Sequence, residues 1–240
     1  MLIDLNCDMG EGMGTDADIF PYISSANISC GYHAGDADTM RRTVELALRY
    51  HVAIGAHPSY PDRANFGRID MLGKGVSIGE LSGIIVDQLI ILEAICEEFG
   101  TELHHVKPHG ALYNRAARDP QVSAMICRAI REFDPSLQLY GLSGSVTGVE
   151  AARHGVAFVN EAFADRTYQA DGSLTPRTAP GALIEDAAQC LAQVKKMVEE
   201  GKVSVAGGGE IPIKAETICI HGDGAHALEF AKCLHGYCRI

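Results

Sequence analysis

Nothing in these 240 residues is built to cross a bilayer, because no apolar run is long enough. The opening Met1-Leu2-Ile3-Asp4 is no basic signal region either. Both absences carry the expectation of a cytoplasmic protein with no membrane partner. With no export signal, the eight cysteines are expected as reduced thiols, and they form no Cys-x-x-Cys pair. Positive charge is scarce: 20 Lys and Arg stand against 31 Asp and Glu, a net charge of −11 that argues against nucleic acid as a partner. The chain also lacks a Gly-x-x-x-x-Gly-Lys-[Ser/Thr] loop to cradle ATP phosphates. Gly10-Glu11-Gly12-Met13-Gly14 is not the Gly-x-Gly-x-x-Gly of a dinucleotide loop. No linker, low-complexity tract or repeat interrupts the sequence, so a single domain over 1–240 is expected.

What is present is an alternation of strands and helices. Leu2 to Asp8 places Ile3, Leu5 and Cys7 on one face and Asp4, Asn6 and Asp8 on the other, as expected of a barrel strand with helices outside and polar groups inside. Further strands read at Ser25–Cys30, Val52–Ala56, Leu103–Lys107, Leu137–Leu142, Val156–Ala162 and Thr217–His221. Helices intervene. One carries Ala37, Met40, Val44, Ala47 and Leu48 on a face, and Ser77 with Glu80 forms a capping box before another that Gly100 stops. Asp119-Pro120 supplies an N-cap and a first-turn proline, and a later helix runs through Ile184, Ala187, Leu191, Val194 and Val198. Gly207-Gly208-Gly209 marks a tight excursion before the last strand.

The pattern predicts an α/β fold with a parallel sheet. Asp8, His33, His57, Lys107, His109, Glu161 and His221 all lie at or just after the C-terminal ends of strands, the face that carries active sites in α/β barrels. An open doubly wound sheet also binds there, but near one switch point rather than around a ring, so polar residues at nearly every strand end favour a closed barrel. The stretch His105-Val106-Lys107-Pro108-His109-Gly110-Ala111-Leu112-Tyr113-Asn114 is the most concentrated case. It reads as a strand ended by proline and followed by a polar loop, with His105 and Lys107 facing one way.

Six stretches together resemble the LamB/YcsF family, which includes the A subunit of the ATP-dependent 5-oxoprolinase. They are Asp4-Leu5-Asn6-Cys7-Asp8-Met9-Gly10-Glu11, Ala26-Asn27-Ile28-Ser29-Cys30-Gly31-Tyr32-His33-Ala34-Gly35-Asp36, Gly55-Ala56-His57-Pro58, Val106 to Asn114, Phe163-Ala164-Asp165-Arg166 and Cys219-Ile220-His221-Gly222-Asp223. The resemblance implies an irregular seven-stranded β/α barrel of the glycoside hydrolase/deacetylase type. It implies conversion of 5-oxo-L-proline with ATP and water to L-glutamate, ADP and phosphate, in company with B and C subunits that hold most of the ATP. The small-molecule lactam would be the substrate.

Lactam opening needs a base for water, a cation for anionic oxygens and donors for a developing oxyanion. Asp8 is the candidate base, with Glu161 second. Lys107 would pair with an anionic group of the substrate, unless it is tied up in an interior ion pair with Asp4 or Asp8. His33, His57, His109 and His221 would move protons or bind metal. A carboxylate with several histidines can hold a divalent metal, but no His-x-x-x-His spacing supports one, and that cofactor is left open. Arg63, Arg68, Arg166 and Arg177 suit carboxylate or phosphate binding. Asn6, Glu11, Tyr113, Asn114 and Asp223, within the matching stretches, join the substrate-binding set. His51, His104, His154, His226 and His235 are assigned no chemistry. Two other readings compete, an autonomous metal-dependent amidase or deacetylase and a non-catalytic lactam-binding subunit.

Overall fold

The computed structural model describes residues 3–238. Strand β1 (Asp4–Met9) is followed by a short helix α1 (Asp16–Ile19), β2 (Ser25–Ser29), α2 (Ala37–Tyr50), β3 (Ala53–His57) and the long α3 (Ile78–Glu98). Then come β4 (His105–Val106), α4 (Gly110–Ala116), α5 (Pro120–Phe133), β5 (Gln138–Leu142), α6 (Val146–His154) and β6 (Ala157–Phe163). The chain finishes with α7 (Ala187–Lys195), a hairpin of β7 (Lys202–Ser204) and β8 (Glu210–Pro212), β9 (Thr217–His221) and α8 (Ala227–Cys238).

Seven strands close in the order β1-β2-β3-β4-β5-β6-β9. Every pairing around that ring is parallel, and β9 completes it by pairing with both β6 and β1. This is the closed β/α barrel that the polar strand ends favoured. The alternation along β1 explains the layers: Leu5, Cys7 and Met9 are fully buried among helix side chains, while Asn6 and Asp8 are buried in the interior. Helix α3 starts at the expected capping box of Ser77 and Glu80, and α5 at Asp119 followed by Pro120.

The barrel interior is unusually polar, and one missing side chain makes room for it. A Cβ on Gly55 would lie 2.1 Å from Nε2 of His105, so the bare backbone of β3 lets that imidazole lie across the lumen. There His105 stacks on Tyr140 at 4.0 Å and bonds Asn27 through Nε2 at 2.8 Å.

Three expectations need correction. The polar segment after Pro108 is the helix α4, not a loop, so Tyr113 and Asn114 stand on a helix. Leu48 is exposed rather than part of the packed face of α2, which Met40, Thr43, Val44 and Ala47 form as a narrow stripe. Ile184 precedes α7 instead of lying within it. The triple glycine makes the expected tight excursion, as the tip of the β7–β8 hairpin, all three residues having positive φ.

Candidate active site

The site grows from the C-terminal ends of β1, β3, β4, β6 and β9. The parallel register sets Asp8 level with Asn27 on one side and His221 on the other. Lys107, just beyond β4, reaches into the lumen. Its ammonium lies 2.8 Å from Asp8 Oδ1, 2.9 Å from Glu161 Oε1, 3.0 Å from Cys219 Sγ and 3.3 Å from Asn6 Oδ1. Burial opposes that charge, but the anionic neighbours, Asp8 foremost, more than offset it and hold the lysine well above its ordinary range. Burial likewise pushes the Asp8 carboxyl up, and His57 and Lys107 more than reverse it, so the carboxylate persists well below its ordinary range. The interior ion pair considered from sequence is therefore present, with Asp8 as a partner. Asp4 faces the opposite end, where it accepts a hydrogen bond from Ser25 Oγ at 2.7 Å.

A second group sits on the wall formed by the loops after β1, β2, β3 and β4: Glu11, His33, His57 and His109. Their nearest ligand atoms all lie within 4.8 Å of one another, an arrangement that could hold a metal ion. Glu11 Oε1 lies 3.1 Å from His33 Nε2, 3.4 Å from His109 Nδ1 and 3.9 Å from His57 Nε2. His33 and His109 stack at 3.8 Å. Gly67 admits that stack, since a Cβ there would fall 2.8 Å from the His109 ring, and its φ of +65° suits glycine. Burial pushes His33 and His109 down and Glu11 up.

Each outer ring nitrogen is anchored. His57 Nδ1–H donates to the Lys107 carbonyl at 2.6 Å, and His109 Nε2–H to the Phe66 carbonyl at 2.9 Å. His33 Nδ1 meets Ser59 Oγ at 2.9 Å; that hydroxyl donates to the Tyr60 carbonyl, so it accepts from His33. Asp8, Cys219 and His221 form another close trio. It does not fit a cation, because the Lys107 ammonium already lies against both Asp8 and Cys219.

Across the lumen His221 is held by Asp165. Nδ1 lies 3.0 and 2.9 Å from the two carboxylate oxygens, and the His221 backbone N–H donates to Oδ2 at 3.0 Å. Asp165 lies within the matching Phe163-Ala164-Asp165-Arg166 stretch yet received no role from sequence. Its position two residues beyond the end of β6 is the signal that marked the other site residues. Phe163 stacks on His221 at 5.4 Å and lies 5.5 Å beneath the Lys107 ammonium, giving the site an apolar side.

These groups open into a cavity of about 1140 Å³. Asp8, Glu11, His57, Lys107, His109, Tyr113, Asn114, Arg68, Arg166, Arg177, His221 and Asp223 line it. Asn6, His33 and Glu161 lie behind that surface, touching residues that line it. Arg63 lies outside it and donates to the carbonyls of Gly31 and Gly35 at 3.0 and 2.7 Å, which ties down the loop after β2. At the mouth, Arg68 pairs with Asp223 at 2.6 Å and Arg177 lies 3.8 Å from the same carboxylate. Arg166 is buried and lowered to about 10 by burial and by Arg177, with its Nε unpartnered. The Tyr113 hydroxyl is also buried without a settled partner; burial, then Glu161, pushes it up. Residues that sequence reasoning missed here are Asn27, Ser59, Asp165 and Cys219.

The profile of the LamB/YcsF family matches residues 3–238. This chain belongs to that family. Among its relatives, the A subunit of 5-oxoprolinase from Shouchella clausii (strain KSM-K16) is 51% identical, covering 98% of this chain and 93% of that protein. The protein of the same name from Bacillus cereus (strain B4264) is 48% identical over 96% of this chain and 92% of its own length. The crystal structure of a lactam utilization protein from Thermus thermophilus superposes with a TM-score of 0.90 at 41% identity, over 98% of this chain and 95% of that one. A putative cellobiose-phosphate cleavage protein from Enterococcus faecalis V583, 13% identical with a TM-score of 0.57 over 97% of this chain and 89% of that one, shares the fold. Among the described residues of this LamB/YcsF chain, no helix is long and apolar enough to cross a membrane.

Proposed function

We propose that this chain is the A subunit of an ATP-dependent 5-oxoprolinase, opening 5-oxo-L-proline to L-glutamate together with B and C subunits. The observation that carries this reading is the buried Asp8–Lys107–Glu161 group at the floor of a cavity that also presents a carboxylate-held histidine, His221. The names of its relatives give the substrate class.

A lactam carbonyl resists water, and phosphorylation of its oxygen by ATP turns that oxygen into a leaving group. Water then adds to the carbon while Asp8, held ionised by Lys107, orients it and takes its proton. Lys107 steadies the negative charge that gathers on oxygen, helped by the Tyr113 hydroxyl. When the ring C–N bond breaks, the carbon is left as an acyl phosphate, which a second water splits to the carboxylate and phosphate, and the nitrogen needs a proton. His221 delivers it from Nε2, having taken up there the proton that Asp8 drew from water, while its Nδ1 proton stays with Asp165. Arg166 and Arg177 suit the substrate carboxylate, and Phe163 suits the ring methylenes. A divalent cation, if bound, would be held by Glu11, His33, His57 and His109 and would supply Lewis acidity at that wall. Most of the ATP contact falls to the partners, in keeping with the missing phosphate loop.

The test is glutamate release from 5-oxoproline and ATP by the assembled complex, with and without Asp8→Ala in this chain. Activity of the intact complex that survives the substitution unchanged would overturn the assignment.

A further inference from the structure

We infer that Glu11, His33, His57 and His109 form a binding site for one divalent transition-metal ion of the zinc class. The inference stands apart from the proposed lactam reaction, because it rests on where the protons of three imidazoles must be.

A carbonyl oxygen can only accept, so His57 carries a proton on Nδ1, toward Lys107 O, and His109 carries one on Nε2, toward Phe66 O. His33 carries its proton on Nδ1, because the single Ser59 hydroxyl hydrogen already goes to Tyr60 O. The nitrogens left over, His33 Nε2, His57 Nε2 and His109 Nδ1, then turn bare lone pairs toward a common point beside Glu11 Oε1. Two of them, His57 Nε2 and His109 Nδ1, face each other at 2.9 Å. Two acceptors do not rest at that distance with nothing between them. A proton on Glu11 could satisfy His33 at 3.1 Å, but the facing pair would still need a proton or a cation.

Three further observations favour the cation. All three rings are oriented by hydrogen bonds from their outer nitrogens, the arrangement that fixes the tautomer of metal-ligating histidines. Four of the six separations among the inner atoms, those to Glu11 Oε1 and the one between His57 and His109, run from 2.9 to 3.9 Å, and all six are within 4.8 Å. That range brackets the edge of roughly 3.4 Å of a tetrahedron with metal–ligand bonds of about 2.1 Å. Three imidazoles and one carboxylate also suit zinc, cobalt or nickel better than magnesium or calcium, which prefer oxygen. The fixed cations that act on the site belong to other contacts: Lys107 to Asp8 and Glu161, Arg68 to Asp223, and Arg63 to the carbonyls of Gly31 and Gly35. Asp8 Oδ2 approaches His57 Nε2 at 3.4 Å and offers the site a further acceptor from below.

The experiment strips the full chain with a chelator and titrates it with Zn²⁺ by calorimetry, with Co²⁺ by its visible absorption, and with Mg²⁺ as the oxygen-seeking control. The expected result is one Zn²⁺ or Co²⁺ per chain, a Co²⁺ spectrum of low coordination number, and no comparable Mg²⁺ binding. Glu11→Gln keeps the shape of the side chain and is expected to weaken Zn²⁺ binding by about 10-fold or more, while His33→Ala with His109→Ala abolishes it. Circular dichroism and the melting midpoint of each variant separate loss of the site from loss of the fold. His221→Asn, in the trio already filled by Lys107, is expected to leave the stoichiometry intact. Equal Zn²⁺ binding by wild type and by a folded double-histidine variant, or a wild type that binds no Zn²⁺ and instead shows a doubly protonated His57 by ¹⁵N spectroscopy, would overturn the site.

Discussion

Asp165 grips His221 with both carboxylate oxygens, at 3.0 and 2.9 Å from Nδ1, and with a third bond from the histidine's own backbone N–H. An imidazole held this way has one tautomer when neutral, proton on Nδ1 and lone pair on Nε2 toward the cavity. The charged and titratable groups around it are Asp165 on one edge, Asp8 and Cys219 in the lumen and, beyond Phe163, Lys107. Asp165→Asn keeps the size of the side chain and loses the fixed charge. It is expected to lower turnover of the complex on the order of 10²–10⁴-fold. Substrate affinity should change little, and ¹⁵N spectra should show His221 with mixed tautomers. Asp165→Glu should recover part of the activity. An unmixed tautomer together with wild-type turnover in Asp165→Asn would remove Asp165 from the mechanism.

The same carboxylate makes a statement about stability. Burial pushes Asp165 up, and His221, through charge and two kinds of hydrogen bond, more than reverses it, leaving the carboxyl below its ordinary value. A depressed folded pKa contributes stability above the unfolded value, near pH 4, that is lost as pH falls through the folded value. Chemical denaturation of wild type and Asp165→Asn is therefore expected to show a gap that is constant at neutral pH and narrows below about pH 4. A gap that widens on acidification would contradict the ionised Asp165 carboxylate.

Lys107 is a buried structural ion as well as a candidate site residue, which sharpens what its replacement should do. Lys107→Met leaves Asp8 and Glu161 facing each other in a buried lumen without their shared cation. A loss of roughly 3–5 kcal/mol is expected, along with loss of turnover. Adding Glu161→Gln should restore part of the stability but none of the activity. Urea midpoints paired with an assay of the same preparations decide it. A Lys107→Met protein as stable as wild type would mean the carboxylates take up protons at little cost.

Where the sequence was legible, the physics is periodic. Leu5, Cys7 and Met9 alternating with Asn6 and Asp8 announce a strand between an apolar shell and a polar lumen, and polar residues at the ends of seven strand runs favoured the barrel. Caps were equally plain at Ser77 and Asp119. Less legible was whatever depends on distant partners. Pro108-His109-Gly110 reads as a loop, yet it opens α4, which the Ala111 N–H bond to the Gly67 carbonyl at 3.0 Å ties to another loop. The candidate site residues drew notice because they follow strand ends, and the lining of one cavity by Asp8, His57, Lys107, His109 and His221 comes from the closed ring. Nothing along the chain told Arg63, bonded to backbone carbonyls, from Arg166, buried at the cavity wall. Ser59 and Asp165 act by fixing the tautomer of a histidine far off in sequence, 26 and 56 residues away, a relation no local pattern records.

An autonomous amidase and a coupled subunit differ in what the isolated chain can do. In the proposed reaction the cavity would supply a base at Asp8, a cation at Lys107 and a proton carrier at His221, but an unactivated lactam also needs a strong electrophile at its carbonyl oxygen. In the coupled reading ATP provides that activation, and nothing in the chain resembles a phosphate loop. The isolated chain, whether chelator-treated or supplied with Zn²⁺, is therefore expected to release no measurable glutamate from 5-oxoproline alone. Addition of the B and C subunits with ATP should start release, and Asp8→Ala should stop it again. Release by the isolated Zn²⁺-treated chain without ATP would make the metal the electrophile and promote the amidase reading. Release that needs partners and ATP but survives Asp8→Ala would leave this chain as a lactam-binding subunit whose chemistry is done elsewhere in the complex.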